Sequence, residues 1–345
     1  MPCTLLKSRH SRESRESRES RKSTLYGFVF AGLLLGLTQH PMAQAQSSTW
    51  PTKPVKIVVT FPPGGAPDTL ARVLADKWSQ SLGQPVTVDN KSGAGGNIGS
   101  DFVAKSIGDG HTLLIATVGT HAINPALYAN LPFNHIKDFT PISFLASTPN
   151  LLVVNNAVPA KNVKELIALA KQTPLNFGSS GSGTSIHLSG ELFNTLAGVK
   201  MQHIPYKGRA QAVPDLLGGR ISLIFDNMPS VLPLVKSGDV RALGVTSATR
   251  SAAAPSIATI AESGLPGFEA TSWFALMAPA GLTKEVQARI NAETAKAMGL
   301  PDVREKMALL GLDLATGSPE ALASLIQKET TKWSNVVKES GAKLD

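Results

Sequence analysis

The chain has 345 residues, of which 42% are hydrophobic, and a formal net charge of +8 at pH 7. A globular chain of this length can bury a substantial core and has the size at which division into two domains begins. After residue 50 no stretch rich in Lys and Arg is interleaved with aromatic residues, so we expect no nucleic-acid partner.

The first 45 residues have the pattern of an export signal. Arg21 and Lys22 precede an uncharged apolar run at residues 25–37 that is short for a membrane span, and Ala43-Gln44-Ala45 matches a small-x-small cleavage pattern. We predict a signal peptide, residues 1–45, cleaved after about Ala45; an uncleaved membrane anchor is the alternative. Removing its seven basic and three acidic residues lowers the net charge from +8 to +4.

Predicted strands and helices alternate from residue 55 onward. The strands are predicted at residues 55–60, 85–88, 111–117, 175–179, 201–206, 221–226 and 240–246. Helices are predicted from about Asp68 to Gly83 and at residues 95–105, 120–128, 163–172, 184–196 and 229–236. Residues 144–155 and 268–278 are predicted to be extended, and the remainder to be helical at 284–298, 301–310 and 319–340.

This alternation predicts an α/β fold with parallel or mixed sheets flanked by helices. The two long extended stretches predict that the chain leaves one domain, enters a second and returns. Two domains joined in this way enclose a cleft that can close by a hinge motion. A single doubly wound domain is the alternative.

Two glycine-rich turns lie between a predicted strand and a predicted helix, at residues 61–68 and 178–185. Such a turn directs free backbone N–H groups and the positive end of a helix dipole at one point, which favours an anion. Asp68 is interpreted either as a helix cap or as an acceptor for a ligand hydroxyl or amino group. Thr184 is interpreted either as a helix cap or as part of a carboxylate clamp, and His187 either as structural or as a ligand contact.

Motifs for catalysis are not recognised. The sequence has no phosphate loop, paired-histidine zinc helix or Cys pair, and Gly93–Gly99 lacks the spacing of a dinucleotide fingerprint, although Asn97 could lie at the cleft. The serines at 179–185 do not form a nucleophile elbow, so a serine hydrolase remains only as an alternative. We expect no catalytic residue, no metal and no cofactor.

The motifs that follow one another along the chain resemble those of the Bug (Bordetella uptake gene) or TctC family, the extracytoplasmic receptors of tripartite tricarboxylate transporters. They are WPTKPVKIVVTFPPGGAPD, KSGAGGNIG, TVGTHAINPALY, GSGTSIHLSGELF, HIPYKG, DLLGGRISLIFDN and AESGLPGFEATSWFALMAP, and the resemblance runs from about Trp50 to the C-terminus.

The resemblance implies a two-domain periplasmic binding protein of the Venus-flytrap, type 2 architecture. It places residues 47–148 with 268–345 in one domain and 149–267 in the other. The implied ligand is a small organic anion: a di- or tricarboxylate, an acidic amino acid or an aromatic acid. The implied binding residues are Phe61, Gly64, Gly65, Ala66, Asp68, Thr117, Thr120, His121, Ser180, Gly183, Thr184, Ser185, Tyr206 and Asp226.

The resemblance also implies partners. We expect a monomer that delivers its ligand to an inner-membrane tripartite tricarboxylate permease with a large and a small subunit. A periplasmic sensor that presents the ligand-bound form to a sensor kinase is the alternative, since both roles need the same cleft.

Overall fold

Ten strands and ten α-helices are formed within residues 50–342 and 344, which are the residues described by this computed structural model. The strands are β1 (Val55–Val59), β2 (Val86–Asn90), β3 (Thr112–Thr117), β4 (Phe139–Asn155), β5 (Asn176–Ser179), β6 (Gln202–Pro205), β7 (Leu223–Asn227), β8 (Val240–Val245), β9 (Thr271–Pro279) and β10 (Asp313–Leu314). The predicted signal peptide lies outside the described residues.

The helices follow the strands closely along the chain. They are α1 (Ala66–Ser81), α2 (Asn97–Ala104), α3 (Asn124–Leu127), α4 (Val163–Gln172), α5 (Ser185–Ala197), α6 (Arg209–Leu217), α7 (Met228–Lys236), α8 (Lys284–Gly299), α9 (Pro301–Leu309) and α10 (Pro319–Ser340). A 3₁₀ turn at Ala94–Gly96 precedes α2, and a π-helical turn at Gly119–Ile123 precedes α3. Within residues 50–342, no helix is both long enough and apolar enough to span a membrane.

The strands form one continuous path in the order β2-β1-β3-β9-β4-β7-β5-β6, and β8 and β10 also pair with β4. The pairs β1–β2, β1–β3, β5–β6 and β5–β7 are parallel, whereas β9 and β4 pair antiparallel with their neighbours. Strands β1 and β3 are almost fully buried, as expected for parallel strands with helices on both faces. The predicted mixed α/β fold is confirmed.

Strand β4 changes its neighbours part of the way along its length. Residues from Phe139 to Pro149 pair with β9, whereas residues from Asn150 to Val154 pair with β7. The first predicted domain boundary, between residues 148 and 149, lies one residue before this change. The division into two domains itself stays a prediction.

Helix α1 shows how the local sequence positions the site. Leu70, Leu74 and Trp78 recur at four-residue spacing and are fully buried, so this face of the helix packs on the sheet. The helix begins at Ala66 and not at the predicted Asp68, because Pro67 fits the first turn of a helix, where no N–H is required. The turn after β1 therefore ends directly at the N-terminus of a helix.

Candidate functional site

A cleft lies where several helices begin, close to the carboxyl ends of the strands that precede them. Its empty volume is about 620 Å³, including the part that is open to solvent. Its lining comes from the turns between strand and helix, from the strand ends and first helical turns beside them, and from β9. The lining residues are Phe61, Pro62, Pro63, Gly65, Pro67, Thr117, Val118, Gly119, Ser180, Thr184, Ser185, Ile186, Gly208, Arg209, Asp226, Asn227, Ser230, Ser272 and Phe274.

Four helix N-termini meet at this cleft. The residues that precede the first turns of α1, α5, α6 and α7 are Gly65, Thr184, Gly208 and Asn227, and all four line it. The first N–H groups of a helix have no partner within the helix, and each N-terminus has the effect of roughly half a positive charge. The cleft is therefore suited to an anion.

The turn between β1 and α1 is held together by the Asp68 carboxylate. Its oxygens accept hydrogen bonds from Gly64 N (3.0 Å), Arg72 Nε (2.8 Å) and Asn90 Nδ2 (2.9 Å). Burial raises the pKa of Asp68, but the hydrogen bonds from Arg72, Gly64 and Asn90 outweigh this and lower it below its usual 3.8. Asp68 is thus an ionised structural anchor of the turn and does not line the cleft.

The second glycine-rich turn is held by His187. Gly183 N donates to His187 Nδ1 (3.2 Å), and His187 Nε2 lies 3.6 Å from a carboxylate oxygen of Glu191. Thr184 caps α5 by accepting a hydrogen bond from His187 N. His187 is buried and does not line the cleft, so it holds the turn in place from the protein interior.

Gly183 also allows a close approach between two parts of the chain. Its φ is +84°, and an added Cβ would lie 2.1 Å from Asn124 Oδ1. Asn124 in turn donates to Asn97 Oδ1 (2.6 Å), so Asn97 is committed to this contact and does not line the cleft. The glycine is therefore required for packing as well as for backbone conformation.

A serine–histidine hydrogen bond lies in the same turn but outside the cleft. Ser179 Oγ and His203 Nε2 are 2.7 Å apart, and Ser179 Oγ also accepts from Gly181 N. Ser179 is fully buried and does not line the cleft. This pair therefore lacks the access to a substrate that a nucleophile needs.

Thr120 and His121 lie beneath the turn that follows β3. Thr120 Oγ1 bonds to Thr117 N and O and lies 2.9 Å from His121 Nδ1. Burial, and to a lesser extent His135, lowers the pKa of His121 to about 3, so its ring is neutral at pH 7. These two residues support Thr117, which lines the cleft.

An ion pair forms part of the cleft wall. Arg209 Nε donates to Asp226 Oδ2 (3.1 Å), and Arg209 also donates to the carbonyl of Ser230. The side chain of Asp226 is 3% exposed and that of Arg209 is 30% exposed. Burial raises the pKa of Asp226, although Arg209 and the N–H of Asn227 act in the opposite direction. The two charges cancel, so this pair adds no net charge to the cleft.

A buried polar network lies beside the ion pair. Asn227 Nδ2 donates to Asn150 Oδ1 (2.6 Å) and to Ser272 Oγ (2.8 Å), and Ser272 Oγ is 2.6 Å from Ser185 Oγ. It joins α5, β9 and the end of β7, which leads directly into α7, to β4 at the position where β4 changes its neighbours. The helix N-termini are therefore fixed relative to the long strands.

The structure places seven of the fourteen predicted binding residues in the lining of the cleft: Phe61, Gly65, Thr117, Ser180, Thr184, Ser185 and Asp226. Tyr206 lines a neighbouring cavity, and its hydroxyl donates to Asp215. Six others line neither cavity: Gly64, Ala66, Asp68, Thr120, His121 and Gly183. The hydrogen bonds described above for Gly64, Asp68, Thr120, His121 and Gly183 are made within the turns. Ligand contact at any of the six stays a prediction.

Several lining residues are not among the fourteen predicted binding residues. Arg209 follows the HIPYKG motif directly, and Asn227 follows the Asp226 that was chosen, so their positions at helix starts were the available signal. Ser272 lies in an apolar extended stretch and gave no signal. The prolines and Phe274 form the apolar part of the wall.

A mixed α/β sheet with a cleft at converging helix N-termini is suited to binding a small anion. A family model described as the tripartite tricarboxylate transporter family receptor matches residues 70–342. The chain therefore belongs to this family of receptors, as the resemblance implied.

Individual relatives agree with this assignment. The chain is 39% identical over 305 residues to Protein BugT of Bordetella pertussis, an alignment that covers 88% of this chain and 94% of BugT. The solved structure of Rpa4515 from R. palustris with adipate matches with a TM-score of 0.83 and 39% identity, covering 86% of this chain and 100% of the other. MatC from Rhodopseudomonas palustris with bound malate matches with a TM-score of 0.79 and 33% identity, covering 83% and 99%.

Proposed function

We propose that the cleft binds a small organic carboxylate and that the protein is a periplasmic receptor for a tripartite tricarboxylate permease of the inner membrane. The observation that carries this proposal is the convergence of four helix N-termini on one cleft. Binding of an anion by helix N-termini involves no covalent chemistry, and the family is one of receptors.

Charge in the cleft supports an anionic ligand. Arg209 and Asp226 are the only charged side chains among the described residues that line it, and they are paired with each other. The helix N-termini are therefore left as the source of positive potential, together roughly two positive charges before screening by solvent. Each charge-assisted hydrogen bond to a carboxylate contributes about 1.5–3 kcal/mol.

The ligands bound to two similar proteins favour a carboxylate over other anions. Two similar proteins have been solved with adipate and with malate, both of which are dicarboxylates. The apolar part of the wall, which includes Phe61, Ile186 and Phe274, suits the carbon skeleton of such an acid. A free inorganic anion has no carbon skeleton that could pack against these apolar side chains.

Closure of two domains on the ligand is part of the proposal. The turns at residues 61–67 and 117–119 belong to the predicted first domain, and those at 180–186, 208–209 and 226–230 to the second. Strand β4 connects the two groups of strands, and we assign the hinge to its residues near Asn150. Closure would exclude water and strengthen each hydrogen bond to the carboxylate.

The experiment is a ligand screen on the purified mature protein at pH 7. Mono-, di- and tricarboxylates are compared with their neutral amides by calorimetry and by thermal unfolding. We expect several acids to bind and to raise the melting temperature, and the amides of the same shape to have little effect. Equal effects of acids and amides, or no effect of any acid, would contradict the proposal.

A further inference from the structure

An open groove lies at the C-terminal end of α7. Its empty volume is about 990 Å³, including the part open to solvent. It is bounded by the second half of α7, the start of β8 and residues 253–257. No residue lines both the groove and the cleft, although α7 contributes Ser230 to the cleft and Leu232 to the groove.

Most of the residues that line the groove are apolar. Leu232 and Val240 are buried, whereas Val235, Ala242 and Ile257 stay partly exposed. Apolar side chains that are exposed together along a groove mark a surface on which a partner can pack. The groove is therefore suited to apolar side chains of another molecule.

The charge of the groove is positive. Lys236 and Arg241 are the only charged side chains among the described residues that line it, and neither forms an ion pair with another described residue. Arg241 Nη1 donates to the carbonyls of Val158 (2.9 Å) and Ala160 (3.1 Å), so the guanidinium is held in place without a counter-ion. Asp239 lies close in sequence but does not line the groove. The missing counter-ion is a carboxylate from outside the described chain.

The edge of β8 is open along the groove. Among the described strands, β8 pairs only with β4. On its other side the chain meets β8 at Val245, whose N donates to the carbonyl of Ala258 and whose carbonyl accepts from Ile260 N. Residues 253–257 diverge from this edge and form another wall of the groove, so residues 240–242 have no described strand beside them there. An open strand edge offers backbone N–H and C=O groups to an added strand.

We propose that the groove is a docking site for a partner protein, which adds an extended segment to the open edge of β8. Apolar side chains of the segment pack against Val235 and Ile257, and an acidic side chain pairs with Lys236 and Arg241. Docking and ligand binding then use opposite ends of α7. Addition of one strand buries a small area, which suits a partner that binds and dissociates. The groove and its occupant are independent of the ligand proposed for the cleft.

The probe is a library of random peptides displayed on phage and selected against the full mature protein. We expect the selected peptides to alternate apolar and acidic residues. Synthetic copies are then titrated by calorimetry into wild type, Lys236→Glu and Lys200→Glu. Lys200→Glu is the matched control, because Lys200 is exposed, does not line the groove and makes the same change in net charge. Melting temperatures establish that both variants are folded.

We expect Lys236→Glu to weaken the peptides about tenfold, because an attraction becomes a repulsion, and Lys200→Glu to change their affinity less than about twofold. Bound peptide should slow amide hydrogen exchange at residues 240–242 of wild type. The proposal is refuted if no peptide is selected, if the selected peptides are basic, if both variants weaken binding equally, or if exchange slows only at the cleft. Self-association of wild type that Lys236→Glu abolishes would also refute it, since the occupant would then be a second copy of this chain.

Discussion

Removal of the Arg209 side chain tests the ion pair in the cleft wall. Arg209→Met leaves the carboxylate of Asp226 buried without its cation. Breaking a fully buried pair costs about 3–5 kcal/mol, and because the Arg209 side chain is 30% exposed we expect about 2–4 kcal/mol of lost unfolding free energy. Above the folded pKa of Asp226 the variant also carries an uncompensated negative charge in the cleft, so its affinity for carboxylates should fall there.

The pH dependence of the same variant has a definite sign. Burial already raises the pKa of Asp226, and loss of Arg209 raises it further. Between the unfolded pKa near 4 and the raised folded pKa, the folded variant holds a proton that the unfolded chain releases, so its stability falls as pH rises through this range. Arg209→Met should therefore recover part of its lost stability in acid.

Urea unfolding at pH 7 and pH 5 measures both effects. The matched control is the double variant Arg209→Met/Asp226→Asn, which removes both charges and should be more stable than Arg209→Met alone. Unchanged stability of the single variant, or a double variant no more stable than the single one, would refute the reasoning about this pair.

Three further predictions concern the turns. His187→Leu removes the acceptor of Gly183 N, and we expect a loss of about 1–3 kcal/mol in urea unfolding and weaker carboxylate binding, whereas His187→Asn should lose less. Gly183→Ala should destabilise by more than Gly198→Ala, because both glycines have positive φ but only Gly183 would place a Cβ against Asn124; equal losses would contradict this. Asp68→Asn should destabilise at pH 7, and its difference from wild type should shrink as pH falls below 3.8 towards the lowered pKa; a difference that does not shrink as pH falls below 3.8 would contradict the assigned role.

The fold could be predicted from the sequence to a large extent. Strands β1 and β3 are almost fully buried and are therefore nearly continuous apolar runs, and helix α1 between β1 and β2 has apolar residues at helical spacing. Strand β4 begins at Phe139 and not near residue 144, because its first part contains Thr140, Pro141 and Ser143, which give no strand pattern. Strand β10 has two residues and gives no signal at all.

The sequence could predict only those parts of the candidate site that are formed by residues close together in the chain. A turn between a strand and a helix exposes backbone N–H groups whatever surrounds it, so the turns near Gly65 and Thr184 could be chosen from sequence. The pairing of Arg209 with Asp226 depends on how the start of α6 meets the end of β7, and Ser272 enters the cleft from the start of β9. The hydrogen bonds of Asp68 to Arg72 and Asn90 could not be chosen from the sequence, and the Asn90 contact joins residues 22 positions apart.

The most direct test of the account is a crystal structure of the protein with a carboxylate taken from the ligand screen. We predict one carboxylate group in the cleft, with its oxygens about 2.7–3.2 Å from backbone nitrogens in the first turns of α1, α5, α6 or α7. A carboxylate bound elsewhere, or one held in the cleft by side chains alone with no backbone N–H within that distance, would contradict the central claim.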